Sequence, residues 1–190
     1  MKLNNRYFLL RHGQATSNLE PRWLASWPEK RISLLTPKGK KEMEKASQFF
    51  RKIGLDFIYS SDLKRTAQTA KIIKEATGAR IIFEKNLREL NVGIFNGQHP
   101  DIYLNFFKNK LERFYKKPPK GENLLDCQKR MLAALKKING KYRNKNILIV
   151  GHGDPLWLLE GGVKNKTPRQ MLNMYPKRLM PGEYRELKTE

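Results

Sequence analysis

Two apolar runs in this chain end in the same dipeptide, FLLRHG at positions 8–13 and LIVGHG at 148–153. Each delivers a histidine, His12 or His152, from the end of a strand. The glycine that follows (Gly13 or Gly153) lets backbone approach a ligand and leaves neighbouring N–H groups free to point inward. Arg11 adds a permanent cation beside His12, and Arg65 follows a third apolar run in SSDLKRTAQTA. Two guanidiniums can grip a phosphoryl group through paired N–H donors. One histidine can attack phosphorus when its other ring nitrogen is tied to a carbonyl, and a second can donate to the transferring oxygens. Glu89, in NLRELNVGIFNG, can protonate a leaving alkoxide if its surroundings raise its pKa. These groups form a complete set for metal-free phosphoryl transfer, and no cofactor is required by it. Singly, each has a plainer reading: a core or capping histidine, a solvated arginine, a surface carboxylate. Four such groups at equivalent strand ends are hard to assign to coincidence.

The elements that must hold them are legible from periodicity. Residues 6–10, 55–59, 80–84 and 146–150 are short β-branched or aromatic runs bounded by turn residues, the pattern of buried strands. A further strand is expected over 183–187, after Pro181-Gly182. Thr36-Pro37 is an N-cap and first-turn pair for a helix with Met43, Ala46, Phe49, Phe50 and Ile53 on one face. Helical spacing resumes from Asp62 through Leu63, Thr66, Ala67, Ala70 and Ile73. It returns from Leu124 through Met131, Leu135 and Ile138, with Gly140 as the expected stop. His99-Pro100 reads as a helix start, Cys127 as a packing residue, and Trp23 and Trp27 as buried against the body, with a lid over the pocket as the alternative. Strands alternating with helices predict an α/β domain with a mostly parallel sheet, whose ligand site lies beyond the carboxyl ends of the strands.

Composition narrows the function classes. The 190 residues suit one domain, and no apolar run approaches the length of a membrane span or a signal peptide's apolar core. A single cysteine permits no internal disulfide, so a cytoplasmic setting is expected. The net charge of +21 raises nucleic-acid binding, but the lysines are scattered and lack the interleaved aromatics and glycines of an RNA-recognition signature. Neither a dedicated nucleic-acid partner nor a membrane partner is expected, and nothing fixes an oligomeric state.

With those residues in order, the chain resembles the histidine phosphatase superfamily, also called phosphoglycerate mutase-like. RHGQATSN, residues 11–18, matches the motif R-H-G-[EQ]-x-x-x-N; SDLKRTAQTA, LREL-x-x-G-x-x-x-G, KGENLLD and LIVGHG resemble its later segments. The resemblance implies a three-layer α/β/α sandwich over residues 1–190. It implies His12 as nucleophile forming a phosphohistidine and Glu89 as proton donor. Arg11, Arg65 and His152 would complete the phosphate pocket, with Asn18 and Gly153 as further contacts and Glu122 lining the site. Gly151, Asn123 and Phe95-Asn96 depart from the family's usual residues, which bears on substrate contacts and leaves every catalytic group in place.

The segment between Gly97 and Gly121 is shorter than in phosphoglycerate mutases. A more open site favours hydrolysis of a small anionic phosphorylated metabolite over mutase transfer. Residues 98–120, rich in aromatics and lysines, are expected to form a substrate-selecting cap, the lysines suiting a substrate with more than one anionic group. A basic binding protein that kept the fold without turnover is the remaining alternative. It would need a broken catalytic position, and the sequence has none.

Overall fold

The structure, a computed structural model, describes residues 1–189. Five strands, β1 (Arg6–Arg11), β2 (Phe57–Ser60), β3 (Arg80–Phe83), β4 (Asn146–Gly151) and β5 (Tyr184–Glu186), form one sheet in the order β3-β2-β4-β1-β5. All neighbours are parallel except β5, which runs antiparallel to β1. The period-two alternation of strand side chains divides the core between two faces. Tyr7, Leu9, Tyr59, Ile147 and Ile149 pack on one side under α5 (Leu124–Lys141) and α6 (Gly153–Val163). Phe8, Leu10, Ile58, Leu148 and Val150 pack on the other under α2 (Pro37–Ile53) and α3 (Lys64–Thr77). Burial on both faces explains why β1 and β4 read as unbroken apolar runs. Shorter helices α1 (Thr16–Leu19), α4 (Pro100–Asn105) and α7 (Pro168–Met174) lie in the connections. Among the described residues no helix is long and apolar enough to cross a membrane.

Several boundaries differ from the sequence reading, each for a local reason. The second strand begins at Phe57 because Gly54 caps α2 at φ 69° and the Asp56 carboxylate is taken by the Asn146 N–H and Lys145. The third strand was expected to be buried; it is the sheet edge, and Phe83 remains half exposed. It ends at Phe83 because Glu84 caps the turn that follows, its carboxylate accepting the Asn86 N–H. Helix α3 begins at Lys64, two residues late, since Asp62 is held by Arg88 and Leu63 takes the N-cap position. Gly140 does not stop α5, which runs one residue further to Lys141. His99 does open α4, its Nδ1 accepting the Asp101 N–H. Trp23 is buried and Trp27 partly so, with Arg31 and Arg88 stacked over their rings.

Helix α2 also fixes the nucleophile motif. Thr36 Oγ1 accepts the Gly39 N–H at 3.0 Å, which seats the first turn of the helix directly on the loop after β1. A Cβ at Gly13 would lie 2.5 Å from the Gly39 carbonyl oxygen, so this backbone contact requires glycine.

Candidate active site

The carboxyl ends of β1, β2 and β4 bring four of the expected groups together. His12 follows β1, Arg65 lies in the first turn of α3 after β2, and His152 follows β4 as the N-cap of α6. Glu89 enters from the irregular chain after β3. The two imidazoles face each other with ring centroids 5.4 Å apart. Both are almost wholly buried, as is Arg65.

The hydrogen bonds assign the proton on His12 and orient the ring of His152. His12 Nδ1 lies 2.8 Å from the Gly13 carbonyl oxygen, so Nδ1 carries the hydrogen and donates it. Arg65 Nε donates to His12 Nε2 at 3.2 Å, which requires a lone pair there. His12 therefore presents an unprotonated Nε2 to the site. Burial, reinforced by Arg65 and Arg11, holds its pKa well below the ordinary histidine value, so the lone pair persists into mildly acidic solution. His152 Nε2 pairs with Ser61 Oγ at 2.9 Å, and Ser61 Oγ is also 3.4 Å from the Leu63 N–H. When Ser61 Oγ donates to Nε2, His152 carries its hydrogen on Nδ1. That atom is buried without a protein partner and sits 3.7 Å from Glu89 Oε2. An N–H donor so placed can bind a phosphoryl oxygen.

Glu89 Oε1 accepts its neighbour's N–H at Leu90, and Oε2 stands 3.9 Å from Arg65 Nη2. Burial raises its pKa to about 6 against the pull of Arg65, with Asp154 assisting the rise. A carboxyl group at that value can give a proton near neutrality and take one back. Arg11, the last residue of β1, donates from Nη1 to the Leu179 carbonyl and keeps a buried Nε with no protein partner. Its guanidinium lies against Gly153, where a Cβ would come within 3.0 Å of Nη1. Glycine at that position lets the guanidinium lie directly against the first turn of α6.

Two expected residues have their side-chain oxygens engaged by other partners. Asn18 is exposed, and its Oδ1 closes the α1 turn by accepting the Ala15 N–H. Glu122, expected to line the site, spends its carboxylate on Arg130 and on the Asn91 N–H. Arg130 in turn donates to the carbonyls of Asn86, Arg88 and Glu89. The pair thus clamps the chain that carries Glu89, a buried charge matched by many hydrogen bonds.

A cavity of about 260 Å³ opens beside Arg11, Glu89 and Gly153. Leu24, Tyr103 and Leu104 supply apolar wall, and Arg113, Asp154 and Arg178 supply charge. Arg113 is paired with Asp154 at 3.0 Å, while Arg178 stacks on Tyr175 at 4.1 Å. From residues 98–120 the cavity takes Pro100, Tyr103, Leu104 and Arg113 and no lysine. Lys116 instead donates to the Phe106 carbonyl, and Phe107 and Phe114 are core.

The sequence profile of the histidine phosphatase superfamily (branch 1) matches residues 7–178. The chain belongs to this superfamily. "Probable phosphoglycerate mutase GpmB" of Escherichia coli is 32% identical over 157 residues, which are 80% of this chain and 71% of that protein. Among solved structures, Bacillus stearothermophilus YhfR superposes with a TM-score of 0.77 at 27% identity, over 88% of this chain and 83% of its own. A mycobacterial glucosyl-3-phosphoglycerate phosphatase shares the fold at TM-score 0.79 and 22% identity, over 95% and 88% of the two chains.

In this member of the superfamily, Ser61, Asp154, Tyr175 and Arg178 are site neighbours that sequence patterning did not single out. Asp154 and Ser61 had a signal, since each adjoins a motif already read. Arg178 had none, because only the return of the chain toward β5 brings it to the cavity. Replacing Ser61 by Ala should remove the bond that orients the His152 ring. Turnover is expected to fall about 10-fold with little change in thermal stability, by analogy with losing one orienting hydrogen bond at a ligand histidine. Parallel activity and melting measurements check this, and an unchanged rate would give Ser61 no part in orienting His152.

Proposed function

We propose that this histidine phosphatase hydrolyses phosphomonoesters of a small anionic metabolite, without a metal, through a phosphohistidine on His12. In the first step His12 Nε2 attacks phosphorus, the P–N bond forms, and the ester P–O bond breaks toward the leaving alkoxide. Glu89 gives that alkoxide its proton. As the phosphoryl group enters, the Arg65 Nε–H turns from the His12 lone pair to a phosphoryl oxygen. Arg11 Nε and His152 Nδ1–H, two buried nitrogens of the site without protein partners, bind the others. In the second step water attacks phosphorus, Glu89 takes its proton, the P–N bond breaks, and His12 regains its lone pair. The observation that carries this reading is the tautomer of His12: Nδ1–H held by a carbonyl and Nε2 held as an acceptor by an arginine.

Hydrolysis is favoured over transfer because the short 98–120 segment, proposed as the substrate-selecting cap, gives only part of the cavity wall and Glu89 keeps 18% of its side chain exposed. Water then has a path to the phosphoenzyme. Mutase transfer is the second reading, supported by the naming of the Escherichia coli relative. One incubation distinguishes them. With 3-phosphoglycerate in the presence of EDTA, a hydrolase releases inorganic phosphate, whereas a mutase interconverts the phosphoglycerate isomers with no net release. Hydrolysis of an aryl phosphate with EDTA present is the expected positive control, and loss of that activity on chelation would contradict the metal-free reading.

A further inference from the structure

Arg65 has three nitrogens, and each meets a different group. Nε donates to His12 Nε2 and Nη2 lies 3.9 Å from Glu89 Oε2, so the edge that these two nitrogens share faces the reacting centre. Nη1, at the other end of the guanidinium, donates to Glu29 Oε1 at 2.9 Å. Both side chains of that pair are removed from solvent, Arg65 at 2% exposure and Glu29 at 14%. Glu29 Oε2 also reaches the N–H of Lys64, at 3.4 Å, at the N-terminus of α3. A carboxylate there complements both the guanidinium and the helix end.

Glu29 belongs to the connection between α1 and α2, and this connection is otherwise tied to the chain that carries Glu89. Ser26 Oγ donates to the Leu90 carbonyl and accepts the Val92 N–H, and Asn96 donates to the Pro28 carbonyl. Leu24 and Ala25 of the same connection line the cavity. One carboxylate therefore joins the wall of the site to the arginine at its centre, without using the edge that faces the reacting atoms.

We propose that Glu29 is a positioning residue of the phosphate site. It anchors Arg65 by its far nitrogen so that the Nε–Nη2 edge meets the phosphoryl group, and it offsets one positive charge of the cradle so that product phosphate can leave. This rests on the phosphoryl-transfer reading above. A site built from two arginines and a histidine donor would otherwise hold an inorganic phosphate dianion tightly, and release would suffer.

The test is calorimetric binding of inorganic phosphate to the intact protein, beside kcat and KM for an aryl phosphate. Glu29→Gln keeps an acceptor for Arg65 and removes the charge. It is expected to bind phosphate about 10-fold tighter, roughly 1.4 kcal/mol, and to lower KM without raising kcat. Glu29→Ala, which also removes the acceptor, is expected to bind phosphate less tightly than Glu29→Gln. Glu20→Gln breaks the exposed Glu20–Arg31 pair of the same connection and should match the wild type. Circular dichroism establishes that each variant is folded. Phosphate binding that is unchanged or weaker in Glu29→Gln overturns the proposal, as does an equal effect from Glu20→Gln. Wild-type protein that neither binds phosphate nor turns over would instead overturn the functional reading on which it rests.

Discussion

His12→Ala is expected to reduce hydrolysis of any phosphomonoester by about 10⁴-fold or more, because removing a nucleophile abolishes the covalent route. The fold should survive the change. The hydrogen-bond partners of the imidazole are the Gly13 carbonyl and Arg65, and Arg65 keeps Glu29 when the imidazole is removed. Binding should survive as well. Arg11, Arg65 and His152 remain, so the variant is expected to retain affinity for inorganic phosphate while turning nothing over. Steady-state rates and phosphate calorimetry on the same preparation check both halves. A variant within 10-fold of wild type would remove His12 from the chemistry.

The second large effect is at Glu89, and it depends on the leaving group. An alkoxide needs its proton as the P–O bond breaks, whereas para-nitrophenolate leaves without one. With an alkyl phosphate, Glu89→Gln is expected to lose about 10²- to 10⁴-fold in the first step. With para-nitrophenyl phosphate the first step should proceed, giving a burst of one equivalent of nitrophenolate. Steady turnover then slows, because no carboxylate is present to take the proton from attacking water. Stopped-flow measurement of the burst checks this, and equal losses for both esters would contradict an acid role.

The pH dependence follows from the same group. Burial raises the Glu89 pKa to about 6, so the protonated acid is present below that value and is lost as pH rises through it. For an alkyl phosphate, kcat/KM of the wild type is therefore expected to fall as pH climbs above about 6. On the acid side His12 is held neutral well below the usual histidine range, so its limb lies at lower pH. Glu89→Gln should lack the upper limb. A substrate phosphate titrates in the same region, and the comparison with the variant separates the two causes.

Much of this site was legible because strand ends announce it. A buried parallel strand reads as a continuous apolar run, and polar groups recurring at several such strand ends point to a shared ligand. That placed Arg11, His12 and His152 without any structure. Arg65 and Glu89 followed from the turns after the second and third runs. The third run misled in burial, because Ile81 and Ile82 give an edge strand the same composition as a central one. At Glu122 a motif position says where a carboxylate stands and not that Arg130 claims it. Its partner Arg130 lies two helical turns along α5, where spacing alone cannot show that a guanidinium reaches three carbonyls. Residues 98–120 showed their aromatics but not their direction: Phe107 and Phe114 turn into the core, and the cation of this segment that reaches the cavity is Arg113, not a lysine. Arg178, Tyr175 and Glu29 depend on contacts distant in sequence, which no local pattern records.

The central claim is a covalent bond between His12 Nε2 and phosphorus. The direct measurement is to mix Glu89→Gln with para-nitrophenyl phosphate, quench in base, where phosphohistidine is stable, and map the protein by mass spectrometry. The account predicts one added phosphoryl group, on the peptide containing His12, and none on His12→Ala treated alike. Nitrophenolate release with no phosphorylated peptide, or phosphorylation at His152 instead, would contradict it.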